Sequence, residues 1–158
     1  MVASLTIPFD AYQYYSAGSR MRILAVDPGE KHIGIAISDP TGTIATPHSI
    51  LKHVARMLDA AAISDLAAQN QVELIVVGRS LDENGDPSPQ SRRADRFIEA
   101  IKQQTDLPVI TWDESFSTQA ARQARIEMRT PRQKRRGHLD DLAAAITLQS
   151  YLDSRSNF

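Results

Sequence analysis

Acidic residues stand at the ends of two predicted strands and at the start of the last predicted helix. They are Asp27 after RILAV, Asp113 and Glu114 after LPVITW, and Asp140 and Asp141 in HLDDLAAAITLQSYL. In open α/β sheets, functional groups gather at the carboxyl ends of the strands. If the first and last strands are both central, Asp27 and Glu114 emerge at one edge, and a packed helix brings Asp140 beside them.

Such a cluster of carboxylates points to hard divalent cations. Like charges close together repel and raise each other's pKa, whereas bound cations make the arrangement favourable. Mg²⁺ prefers oxygen ligands, and two ions about 3.5–4 Å apart can clamp a phosphodiester and activate water. Because the chain has no cysteine and only four histidines, we predict Mg²⁺ or Mn²⁺ rather than zinc. The predicted metal ligands are Asp27, Glu114, Asp140 and Asp141.

Each acidic residue also has an ordinary structural interpretation. Asp27 precedes Pro-Gly and could be a turn residue. Asp113 and Glu114 could be solvated loop residues, and acids such as Asp140 and Asp141 are favourable at helix amino termini. The prediction of chemistry therefore depends on Asp27, Glu114 and Asp140 acting together.

A basic segment lies between positions 122 and 136, where seven of the chain's 18 cationic residues fall. Its simplest interpretation is a solvated helix face that runs into a loop. Beside a cluster of acids, it also fits contacts with a nucleic-acid backbone, which supply affinity but little sequence readout. The candidate contacts are Arg132, Lys134, Arg135 and Arg136, and the patch could extend to Arg92, Arg93 and Arg96.

The hydrophobic pattern predicts an α/β protein with elements in the order βββαβαβαα. Alternating apolar residues predict three initial strands, the first two antiparallel across the turn PGEK, and Pro47 favours an edge position for the third. Strands that alternate with helices imply crossover connections in a parallel part of the sheet. The predicted strands are 22–27, 32–38, 43–49, 73–78 and 107–114, and the predicted helices are 54–70, 90–104, 117–128 and 138–152, with a basic loop at 129–137.

The composition is that of an ordinary single-domain protein. The chain has 158 residues and a net charge of −1, and no apolar run approaches the roughly 20 residues that cross a bilayer. The lack of cysteine fits a reducing cytosol. We expect one domain over 21–153 and a short tail over 154–158. Residues 1–20 are expected to be a loosely ordered extension, or to precede a natural start at Met21.

Four sequence motifs resemble those of a known family in order and approximate spacing. DPGEKHIGIAISD, VVGRSLDENGD, WDESFST and HLDDLAAAITLQSYL are similar to motifs of the YqgF family, also called RuvX, over about residues 21–152. The resemblance implies an RNase H-like fold related to RuvC resolvase, with a mixed five-stranded sheet and helices on both faces. It also implies a cytoplasmic nuclease that matures the 5′ end of precursor 16S rRNA during ribosome biogenesis.

The resemblance assigns roles to individual residues. Asp27, Glu114 and Asp140 match the family's catalytic acids, and Asp27 matches the one that bridges the metals. Asp141 is adjacent to Asp140 and ranks below it as a metal ligand. Lys31 matches a lysine of the family and is expected to contact phosphate.

Two positions depart from the family pattern. The family has Gly-Leu-Pro after the fourth strand where this chain has Gly-Arg-Ser, and Ser115 stands where the family has arginine. We expect Arg79 to compensate for the missing arginine from the neighbouring strand end and to bind substrate.

Three other functions stay open at this stage. Cleavage of branched DNA such as a Holliday junction would be favoured by a homodimer, and the sequence is compatible with a monomer or a homodimer. The Asp-x-Gly turn also occurs in actin-like and sugar-kinase folds that bind ATP, but those proteins need two such domains. A non-catalytic nucleic-acid-binding factor, for instance one that acts on the ribosomal small-subunit precursor, would use the basic segment without needing three acids.

The assignment of residues 1–20 to an extension leads to a test by truncation. A chain that begins at Met21 is expected to unfold at the same temperature as the full chain, because the removed segment lacks the periodicity of a core element. Thermal unfolding followed by circular dichroism measures the difference. A large drop in the midpoint would show that this segment belongs to the domain.

Overall fold

Five strands form one mixed sheet in the computed structural model, which describes residues 20–81, 84–113 and 132–156, with side chains described for these residues except 132–141 and 156. The order across the sheet is β3-β2-β1-β4-β5. The strands β1, β2 and β3 form an antiparallel meander, while β4 and β5 continue parallel to β1. The bounds are β1 (Ile23–Pro28), β2 (His32–Ser38), β3 (Ala45–Lys52), β4 (Leu74–Arg79) and β5 (Val109–Asp113).

Helices cover both faces of the sheet. Helices α1 (Arg56–Gln69) and α2 (Pro89–Gln104) pack on one face, and α3 (Arg132–Ser156) packs on the other. Helix α2 begins with proline at its first position, and the Ser88 hydroxyl before it accepts a hydrogen bond from the Ser91 amide at 3.1 Å. This serine cap and the following proline are typical helix-start signals.

Two hydrophobic cores lie on either side of the sheet because successive strand residues point to opposite faces. One core joins the even positions of β1 to α1 and α2, and the other joins its odd positions to α3. Strand β4 contributes to both cores, as the uninterrupted apolar run at 73–78 predicts. The inward positions predicted for α2 are also confirmed, since Phe97, Ile98 and Ile101 are all buried.

The position of β5 and the start of α3 differ from the prediction. Strand β5 lies at the edge of the sheet, not in the centre, and β3 forms the other edge, as Pro47 predicts. The predicted loop at 129–137 is wrong from Arg132 onward, because α3 begins there and not at residue 138. Lysine and arginine are good helix formers, so a basic run without apolar periodicity can extend a helix. The predicted helix at 117–128 lies outside the described residues.

None of the helices within the described ranges has both the length and the apolar character needed to span a bilayer.

Asp39 organises the turn between β2 and β3. Its carboxylate accepts hydrogen bonds from the amides of Thr43 and Ile44, both at 2.8 Å, and from the amide and hydroxyl of Thr41. These bonds, led by that from the Ile44 amide, hold the pKa of Asp39 well below its usual range. Since the charged form is favoured in the folded state, it stabilises the fold above the unfolded pKa of about 3.9, and this contribution is lost as the pH falls below that value.

Replacing Asp39 with asparagine tests this contribution. We expect Asp39→Asn to lower the free energy of unfolding by about 1 kcal/mol at pH 7, because the donors lose a charged acceptor. The difference from wild type should shrink between pH 4 and pH 2. Urea unfolding at several pH values measures both, with Asp65→Asn on the exposed face of α1 as the control. A difference that stays constant with pH would contradict the assignment.

Candidate active site at the carboxyl edge of the sheet

The parallel strands β1, β4 and β5 end at one edge of the sheet, and Asp27 lies there. Cross-strand register pairs Val26 with Val77, and one step further along it pairs Gly78 with Trp112. Asp27 therefore lies in the same row as Gly78 and Trp112. On its other side, Asp27 pairs directly with Gly34 of β2.

Both strand neighbours of Asp27 lack a side chain. The row reads Gly34, Asp27, Gly78 and Trp112 across four strands. Directly opposite side chains in a sheet normally touch, and a glycine in a strand often marks a place where a ligand comes close. The two glycines therefore leave space on both sides of the Asp27 carboxylate.

Asp27 is on the face of the sheet that α3 covers. The β1 residues Ile23 and Ala25 pack against α3, and alternation puts Asp27 on the same face. In α3, Ala144 and Ala145 belong to that core. The predicted acids at positions 140 and 141 precede these alanines by one helical turn, so their backbone lies toward the start of the helix that packs over Asp27.

The side chains of the other predicted metal ligands lie outside the described part of the structure. Glu114 lies outside the described residues, and so do the side chains of Asp140 and Asp141. Within the described ranges, no three histidine, aspartate or glutamate side chains come together as a metal site. Asp113 ends β5 and alternates to the face opposite Asp27. The metal site thus stays a prediction, and Asp27 is the one proposed ligand whose side chain is described.

The surroundings of Asp27 fit a hard cation. Asp27 is half-buried and lines a cleft of about 260 Å³ with the Pro-Gly turn, the end of β4 and the α2 residues Gln90 and Ala94. No described residue donates a hydrogen bond to its carboxylate. The carboxylate oxygens are therefore not engaged by any described donor and can coordinate a cation or accept a hydrogen bond from a ligand.

The Pro-Gly turn after Asp27 is shaped by close backbone packing. A Cβ atom on Gly29 would lie 2.3 Å from the carbonyl oxygen of His32, so no other residue fits without moving the turn. The next residue but one, Lys31, has an exposed side chain, and its carbonyl accepts a hydrogen bond from the His53 amide at 2.9 Å. The turn thus holds Lys31 beside the carboxyl edge, where it is predicted to meet phosphate.

Arg79 connects the end of β4 to α2. Its Nε donates to the Ser91 hydroxyl at 2.7 Å, and one terminal nitrogen donates to Asp95 at 3.3 Å. Its side chain alternates to the face opposite Asp27. Two of its donors therefore bind α2, so Arg79 links the end of β4 to this helix. Its predicted contact with substrate stays a prediction.

The predicted basic contacts at positions 132–136 lie in the first two turns of α3, one to two turns before the acids at 140 and 141. Their side chains are outside the described part of the structure. Their role in substrate binding stays a prediction.

Sequence reasoning missed a polar pair near this edge. The buried Asp59 carboxylate of α1 accepts from His53 Nδ1 at 2.5 Å and from the Val54 amide at 3.2 Å. An acid inside an apolar helix, six residues after a histidine, was a visible signal. The sequence does not show that the side chain folds back over the helix start.

The chain matches known proteins over most of its length. The family model described as "RuvX: Holliday junction resolvase" matches residues 21–154. A protein of Thermoanaerobacter pseudethanolicus named "Putative pre-16S rRNA nuclease" is 39% identical over 138 residues, which are 87% of this chain and 99% of that protein. A protein of Roseiflexus with the same name is 37% identical over 134 residues, covering 85% of this chain and 95% of that protein.

Two solved structures share the fold. RuvC of Thermus thermophilus in complex with a Holliday junction superposes with a TM-score of 0.56 at 17% identity, over 86% of this chain and 97% of that chain. The fowlpox virus resolvase, solved with Holliday junction DNA, gives a TM-score of 0.51 at 20% identity, over 85% of this chain and 98% of that chain. These similarities confirm the RNase H-like fold. The family match and the curated relatives show that the chain belongs to the RuvX family of nucleases.

Proposed function

We propose that this protein is a metal-dependent nuclease that cleaves precursor 16S rRNA at its 5′ end during ribosome assembly in the cytoplasm. The observation that carries the proposal is the position of Asp27. It is a half-buried carboxylate at the carboxyl edge, on the face covered by α3, with a glycine on each side and no described hydrogen-bond donor. That environment suits a ligand for a hard cation more than a structural turn residue.

The proposed catalytic acids are Asp27, Glu114 and Asp140, and Asp141 joins them as a further metal ligand. Strand β5 is two strands away from β1 in the sheet, so the backbones of these two strands are about 10 Å apart. Two carboxylate side chains with a cation between them span that distance. When bound, Mg²⁺ or Mn²⁺ would activate the attacking water and stabilise the leaving oxygen. In this proposal the four acids coordinate the cation, while Lys31 and the basic residues at the start of α3 bind and orient the phosphates of the substrate.

The names of the curated relatives favour rRNA as the substrate. The second candidate is a four-way DNA junction, which the family's description as a Holliday junction resolvase favours. A symmetric junction needs two cuts, so this candidate requires a homodimer, whereas rRNA cleavage is compatible with a monomer. Both candidates use the same acids, and the substrate therefore has to be decided by assay.

Substitution of Asp27 tests the catalytic assignment. We expect Asp27→Asn to reduce cleavage of precursor 16S rRNA at least 100-fold in Mg²⁺ or Mn²⁺, because the amide loses the charge that holds the cation. Gel analysis of the labelled RNA and of a four-way DNA junction measures both activities. Asp106→Asn, which lies before the start of β5 and so at the opposite end of the parallel strands from Asp27, serves as the control.

Three results would contradict the proposal in different parts. Cleavage by Asp27→Asn at the wild-type rate would exclude this residue from the active site. Cleavage of the junction but not of the RNA by the wild-type protein would replace rRNA with branched DNA as the substrate. Absence of metal-dependent cleavage of either nucleic acid would favour a non-catalytic binding factor.

The glycine row gives an independent test. Gly78→Val places a branched side chain beside Asp27 on the α3 face, so we expect cleavage to fall at least tenfold, with a smaller loss in Gly78→Ala. Thermal unfolding of each variant separates a blocked site from a damaged sheet. A folded Gly78→Val variant with wild-type activity would show that the space beside Asp27 is not used.

A further inference from the structure

A second cleft opens at the same edge of the sheet, on the opposite face from Asp27. It has a volume of about 350 Å³ and lies between the turn after β1, the first turn of α1 and the middle of α2. We call it the arginine cleft, because its lining includes Arg56, Arg93 and Arg96. Pro28 and Gly29 line both this cleft and the one that contains Asp27, so the two clefts meet at the Pro-Gly turn.

The described lining of the arginine cleft has more positive than negative side chains. Arg93 pairs with Glu30 at 3.0 Å, and the other acid in the lining, Asp59, is engaged by His53 and the Val54 amide. Arg56 and Arg96 are exposed and form no ion pair with any residue in the described part of the chain. The three arginines outnumber the two acids, so the cleft favours an anion.

His53 adds an oriented polar group to the same lining. An ionised carboxylate only accepts hydrogen bonds, so Nδ1 of His53 donates to Asp59. Asp59 is itself buried, with 4% of its surface exposed, and is held by the Val54 amide. Asp59 thereby fixes the imidazole on the cleft wall. Nε2 donates a hydrogen bond to an anion only when the ring carries both protons, so the positive charge of the cleft comes from its arginines.

The lining selects the kind of anion. Guanidinium groups match phosphate oxygens with paired hydrogen bonds. Phe97, the phenyl side chain of the lining, is buried in the core with 5% exposure and offers no surface for a base to stack on. The guanidinium groups therefore favour a charged backbone phosphate over an uncharged nucleobase.

We infer that the arginine cleft binds a phosphate of the same nucleic-acid strand whose scissile bond lies at Asp27, and so anchors that strand as it crosses the Pro-Gly turn. This inference rests on the proposed nuclease function. It assigns strand binding to Arg56 and Arg96 and hydrolysis to the acids.

The test measures binding without metal, so that no cleavage occurs. A fluorescent single-stranded RNA oligonucleotide is titrated with protein in EDTA at several NaCl concentrations, and anisotropy gives the dissociation constant. We expect the double variant Arg56→Gln/Arg96→Gln to bind about tenfold more weakly near 100 mM salt. The slope of log affinity against log salt should fall by about 0.7 for each phosphate that the variant no longer neutralises. Lys102→Gln, at the far end of α2, should match wild type.

Three outcomes would overturn the inference. They are an unchanged salt slope in the double variant, an equal loss of affinity in Lys102→Gln, and complete competition by free AMP or inorganic phosphate at micromolar concentration, which would indicate a small-molecule site. Failure of the proposed function is distinguishable, because it appears as absent hydrolysis in Mg²⁺ while the binding results in EDTA still stand. Both arginines are exposed and unpaired among described residues, so thermal unfolding of the double variant is expected to match wild type.

Discussion

The candidate site depends on the parallel alignment of β1 with β4 and β5. That alignment brings their carboxyl ends to one edge and puts Asp27 beside Gly78, while the antiparallel pairing with β2 puts Gly34 on its other side. Any side chain at these two positions would lie directly beside the Asp27 carboxylate. The fold thus keeps a half-buried carboxylate that no described residue engages and that has room for a ligand on both sides.

The Pro-Gly turn after Asp27 connects the proposed active site with the proposed phosphate-binding cleft. Gly29 permits the tight approach to the His32 carbonyl, and both clefts share the turn as a wall. Helix α2 also borders both clefts, through Gln90 and Ala94 in one and Arg93 and Arg96 in the other. A nucleic-acid strand that crosses this turn would contact both sets of residues, which explains why a protein with a net charge of −1 can still hold a polyanion locally.

The sequence predicts the strands well because their signals are local. Alternation defines β1 and β2, and an uninterrupted apolar run defines β4 as buried on both faces. The glycine row and the pair of His53 with Asp59 were not predicted, because cross-strand register and side-chain reversal at a helix start depend on tertiary packing. The edge position of β5 and the early start of α3 escaped prediction for a related reason: neither changes the local hydrophobic pattern.

The central claim is that acids distant in sequence share one divalent cation at the carboxyl edge. A crystal structure of the protein soaked in Mn²⁺, with the ion located by anomalous scattering, tests it most directly. We expect an anomalous peak within bonding distance of the carboxylates of Asp27, Glu114 and Asp140. A peak held by other residues, or these three carboxylates facing separate surfaces with no ion between them, would contradict the account.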